Sequence, residues 1–98
     1  MSRVKAANTD HAYLRAAERI GLSKRKAAEL MRSAQRQGIA PLNCPPGPLR
    51  DYLIDKQLDN EHRRIKFYEG YIFVFASTST KCITVYKAPA ECFAEEAH

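Results

Sequence analysis

Between residues 39 and 48 the chain reads IAPLNCPPGP, and the hydrophobic period differs on its two sides. Before it, apolar residues recur every three to four positions; from His62 onward they alternate or run together. Four prolines in ten residues remove amide donors and fix φ, so this stretch is neither helix nor central strand and connects two differently built halves. A period near 3.6 sets one face of a helix against a core, whereas a period of two does the same for a strand. The chain is therefore expected to be α+β, with two to three N-terminal helices packed on a three-stranded antiparallel meander. At 98 residues it has room for one domain and one core.

The first helix should begin near Asn8 to Asp10, capped by Thr9 or Asp10, and end at Gly21. Tyr13, Ala17 and Ile20 then share its apolar side. Ser23 can cap a second helix over residues 24–37, with Ala27, Leu30, Met31 and Ala34 inward and Gly38 as the stop. Pro48 suits the first position of a third helix running to about Leu58, with Leu49, Tyr52, Leu53 and Lys56 expected on one side. In RRIKFY, Ile65 and Phe67 alternate with Arg64, Lys66 and Tyr68, Glu69-Gly70 makes a tight turn, and YIFVFA is apolar throughout, like a central strand. KCITVYK supplies the third strand and Pro89 ends it. The organisation expected is a flexible stretch over 1–8, a helical basic half over 9–58, a meander over 62–88 and an acidic tail over 90–98, with the helices on one face of the sheet. The strand edges at 65–68 and 83–86 are expected to be open, so that oligomerisation or a partner strand could use them.

The formal charge is +5, but it is unevenly placed. Residues 1–50 carry ten Lys/Arg against three Asp/Glu, and residues 51–98 carry six against eight. A basic half is the usual electrostatic footprint of a nucleic-acid ligand, because neutralised phosphates release counterions. Lys24, Arg25 and Lys26 crowd the first turn of the second helix, where the macrodipole disfavours cations, and an anion docked there would relieve the conflict. Arg19, Lys24, Arg25, Lys26, Arg32, Arg64 and Lys66 are the candidate nucleic-acid contacts. No run of residues is long and apolar enough for a membrane span, and MSRVKAANTD lacks a signal-peptide core, so no membrane association and a cytoplasmic location are expected.

Cys44, Cys82 and Cys92 are odd in number and show no CxxC spacing, so neither a disulfide framework nor a metal site is expected, and no cofactor is implied. A metal-free ribonuclease needs a base for the ribose 2′-OH, a cation for the phosphate and an acid for the leaving oxygen. His11 with Arg15 one turn later, together with Tyr68, Thr84, Tyr86 and Lys66 on the strands, are the residue types that such a site uses. His11, Arg15, Tyr68 and Tyr86 form the catalytic candidate set. Arg63, Arg64, Lys66 and Tyr68 equally suit a basic, aromatic RNA platform without chemistry.

The layout HAxxRxxERIGLS, a helix ending at Gly38, the proline-rich link, and RRIKFYEGYIFVF followed by KCITVYKAP resembles the small bacterial and phage proteins of the barnase, EndoU, colicin and RelE-like superfamily, with BrnT-type toxins closest in appearance. That resemblance spans about residues 10–89 and implies helices on a twisted antiparallel sheet, an RNA substrate, toxin-like endoribonuclease activity without metal and a neutralising partner protein. By position, His11 and Arg15 match the family's helix residues, and Arg64, Tyr68 and Tyr86 its strand residues. A helix-turn-helix competes for the same stretch: Ala17, Gly21, Ala27 and Leu30 fall at its small, turn and apolar positions, and its second helix would offer Lys24, Arg25 and Lys26 to DNA. The third class is a non-catalytic phage-encoded inhibitor that grips a guide RNA or an acidic groove of a target protein. RNA is the leading ligand among these.

Overall fold

The structure, a computed structural model, describes residues 10–92. The expected flexible stretch, the Thr9 cap and residues 93–98 of the acidic tail lie outside the described residues. The helices are α1 (Asp10–Ile20), α2 (Lys24–Gln37) and α3 (Pro48–Asp59), followed by β1 (Arg63–Tyr68), β2 (Tyr71–Ala76) and β3 (Cys82–Lys87). The proline-rich link contains one 3-10 turn, Pro41–Asn43. No described helix is long and apolar enough to cross a membrane.

Gly21 ends α1 in the left-handed region at φ 69°, its amide donating to the Ala17 carbonyl at 3.2 Å. Two residues later Ser23 starts α2, its hydroxyl accepting the Lys26 amide at 3.3 Å. The buried side of α1 is Ala12 and Ala16, flanked by Tyr13 and Ile20, while Ala17 is exposed. This corrects the stripe expected from spacing. Two small residues one turn apart let the α1 backbone lie close to β3, which the larger Tyr13 and Ile20 could not do in their place. Gly38 ends α2 without a positive φ: a Cβ there would stand 2.5 Å from the Ala34 carbonyl oxygen and 2.8 Å from Lys66 Cβ. The glycine is there for the close approach of the helix end to β1.

The sheet order is β1-β2-β3, antiparallel throughout. Tyr68 pairs with Tyr71 across a two-residue turn in which Glu69 and Gly70 both have positive φ, 54° and 88°, the type I′ geometry that matches the twist of the flanking strands. A register shift between Val74 and Phe75 places Cys82 opposite Phe75.

The helices do not share one face of the sheet. Phe73, Phe75, Cys82 and Val85 pack with Ala12, Ala16, Ala27, Met31 and Ala34 under α1 and α2. Ile65, Ile72 and Val74 pack with Leu53 of α3, joined by Leu49, Tyr52, Phe67 and Tyr86. The expected one-sided arrangement is therefore replaced by three layers. The reason lies in β2, whose residues 72–75 are all buried, so both of its faces need an apolar cover.

The outer edge of β1, expected to be open, is occupied from within the chain. Ile39 and Phe67 exchange both backbone hydrogen bonds at 2.9 Å. The Gln57 carboxamide imitates a strand residue beside them: Nε2 donates to the Arg63 carbonyl at 2.7 Å and Oε1 accepts the Ile65 amide at 3.3 Å. On β3, Arg19 Nη1 donates to the Val85 carbonyl at 3.0 Å. These contacts satisfy edge groups that would otherwise template another strand.

Candidate nucleic-acid interface

Helix α2 carries five of the chain's sixteen cations and a single acid, Glu29. Its packing against the sheet through Ala27, Met31 and Ala34 fixes which side faces water. On a 3.6-residue period Arg25, Arg32 and Arg36 fall in one stripe opposite that buried side, and all three are exposed. At 1.5 Å per residue the stripe is roughly 16 Å long. The side chain of none of the three forms a hydrogen bond or ion pair among the described residues. Of the flanking cations, Lys26 approaches Glu29 at 3.8 Å and Lys24 Nζ lies 5.0 Å from the centre of the Tyr13 ring. An exposed pair at that separation contributes little, so the stripe remains strongly cationic.

The strand cations are placed differently. Arg64 donates to the Ser79 carbonyl at 2.6 Å and the Ala76 carbonyl at 3.3 Å, with its guanidinium 5.9 Å from the centre of the Phe75 ring, so it fastens the β2–β3 turn. Lys66 Nζ donates to the Gln35 carbonyl near the end of α2, where a cation also complements the helix macrodipole. Both side chains are half-buried and committed to the fold. The RNA platform expected from the alternation of β1 is thereby reduced to exposed Arg63, with Tyr68 half-buried.

The catalytic candidates fall into three places. His11 and Arg15 adjoin on α1, with Arg15 Nε donating to His11 Nε2 at 3.3 Å and Nη1 ion-paired to Glu18 at 2.8 Å. Tyr68 lies with the α1/α2 side of the sheet and its hydroxyl donates to Gln37 Oε1 at 3.5 Å. Tyr86 lies with the α3 side, under the cations of Arg19 and Lys56. Tyr68 and Tyr86 are thus separated by the sheet itself and cannot close on one phosphate, which a metal-free cleavage site requires. Thr84, named with them, is buried with its hydroxyl unpaired.

Cys44, Cys82 and Cys92 are buried and unbridged. Among the described residues no group of His, Cys, Asp and Glu is placed to hold a metal ion. Two residues belong to the basic surface without having been singled out. Arg36 completes the stripe of Arg25 and Arg32, and its spacing of four from Arg32 was the available signal. Lys56 shares the side of α3 that carries Tyr52, four residues before it, but nothing local marks its reach to Tyr86 on β3. No protein-family model, curated protein or solved structure matches this chain.

Proposed function

We propose that the protein binds a nucleic-acid phosphate backbone through the exposed face of α2, without cleaving it. The carrying observation is the stripe of Arg25, Arg32 and Arg36 on the side of α2 opposite its packed face, with Lys24 and Lys26 at its start. Arginine presents planar donors that suit phosphate, and a helix held rigidly on a sheet presents them at fixed spacing. RNA is the ligand implied by the resemblance to small ribonuclease-like proteins. The separation of Tyr68 from Tyr86 speaks for binding rather than catalysis.

A helix-turn-helix on DNA is the second reading, favoured by the left-handed Gly21 in a short turn between α1 and α2. Against it, Ala17 at the small position is exposed, whereas Ala16 is the residue packed inside.

The test is fluorescence anisotropy with labelled single-stranded RNA and duplex DNA at about 150 mM salt, followed by electrophoresis of the recovered RNA in EDTA. The expected result is RNA binding, intact RNA, and a loss of about tenfold or more in Arg25→Glu/Arg32→Glu. Cleavage abolished by His11→Ala would overturn the non-catalytic reading, and a preference for duplex DNA would support the second one.

A further inference from the structure

A second cationic cluster lies away from the α2 stripe, at the outer edge of β3. The guanidinium carbon of Arg19 stands 4.5 Å from the centre of the Tyr86 ring, and Lys56 Nζ stands 4.6 Å from the same centre. Lys56 Nζ is also 5.7 Å from the centre of the Tyr52 ring. Arg19 comes from α1 on one face of the sheet and Lys56 from α3 on the other, so the tertiary fold, not sequence proximity, brings them to one ring. Arg19 is held there by donating to the Val85 carbonyl, which uses one of its five N–H groups. Neither cation has a carboxylate partner among the described residues.

An aromatic ring stabilises one cation placed over it, but a second cation at the same ring repels the first. The ring therefore accounts for each contact singly and not for the pair. An anion held beside both cations would neutralise the pair, and the donors these residues offer it are the remaining Arg19 N–H groups, the Lys56 ammonium and the Tyr86 hydroxyl. Donors from three separate elements suit a tetrahedral oxyanion better than a planar carboxylate, for which one arginine fork suffices.

We propose that Arg19, Lys56 and Tyr86 form a phosphate-binding site at the β3 edge. It goes beyond the α2 interface and does not depend on it. The phosphate comes either free in solution or as the terminal phosphate of a nucleic acid.

The test is titration of the full 15N-labelled chain with inorganic phosphate, with a dinucleotide carrying or lacking a 5′-phosphate, and with acetate, following the amide signals of residues 56 and 85–87. Saturable shifts with phosphate are expected, weakened about tenfold in Lys56→Gln and in Arg19→Gln and unchanged in Arg63→Gln. Lys56→Gln breaks no side-chain hydrogen bond of the fold and so decides the matter should Arg19→Gln disturb the strand edge. Tighter binding of the 5′-phosphorylated dinucleotide than of inorganic phosphate identifies a nucleic-acid end as the source, and the converse identifies free phosphate; either supports the site. Shifts that fail to saturate, equal binding of acetate, or native-like spectra with unweakened binding in Lys56→Gln would overturn it.

Discussion

Thr84 is 5% exposed in the middle of β3, and its hydroxyl has no hydrogen-bond partner. A buried donor left unmade costs about 1 to 3 kcal/mol, and a methyl in its place costs nothing of that kind. Thr84→Val is expected to stabilise the protein by about 1 kcal/mol, raising Tm by roughly 4 to 8 °C for a domain of this size. Calorimetry checks it; a lower Tm would mean that the hydroxyl serves a contact. Cys82, two residues away, is fully buried, and burial pushes its thiol up from an ordinary 9.0 to about 12, partly offset by backbone hydrogen bonds to Thr84 and Val74. The folded thiol thus keeps its proton where the unfolded one loses it. Its stabilising effect is complete below about pH 9 and is lost as pH rises towards 12, at a limiting slope of about 1.4 kcal/mol per pH unit. Urea midpoints of wild type and Cys82→Ala should accordingly converge between pH 8 and 10.5. Parallel curves would contradict this.

At the scale of elements, α2 has two ends with opposite duties. Its start exposes Lys24, Arg25 and Lys26, and its end is pressed onto β1 so closely that Gly38 has no room for a side chain. Gly38→Ala is expected to cost about 1 to 3 kcal/mol, read from urea unfolding, because the clashing atoms include the Ala34 backbone carbonyl. A loss below about 0.5 kcal/mol would show that the helix end moves freely. The same end explains what the sequence leaves illegible. Helix limits, the Ser23 cap, the Glu69-Gly70 turn and the strand order are local features, readable from period and turn chemistry. The fate of Lys66 is not local. Its alternation in RRIKFY makes it look solvent-facing, and only the packing of α2 brings the Gln35 carbonyl to it. Arg64 is likewise absorbed by a turn more than a dozen residues away. Even the two-sided cover of the sheet was hinted at, since YIFVFA has no polar face, but which helix would take which side depends on how the proline-rich link runs.

Across the whole molecule, the surplus of +5 resolves into a place. Helix α1 balances Arg15 and Arg19 with Asp10 and Glu18, while α3 sets Asp51, Asp55 and Asp59 against Arg50 and Lys56. Among the regular elements α2 carries the largest net positive charge, five cations against Glu29, on a side that the core leaves free; β1 follows with Arg63, Arg64 and Lys66, of which Arg64 and Lys66 are turned into the fold. That placement separates binding from stability: cations on the stripe should matter to the ligand alone, and those turned into the fold to stability alone. The salt dependence of RNA affinity, measured for wild type, Arg32→Gln and Arg64→Gln, tests this most directly. One phosphate contact contributes about 0.7 to the slope of log K against log salt on single strands. Arg32→Gln is expected to lower the slope by about that amount at unchanged Tm, whereas Arg64→Gln should keep the slope and lose about 1 to 2 kcal/mol of stability. An unchanged slope in Arg32→Gln, or a lowered one in Arg64→Gln, would contradict the account.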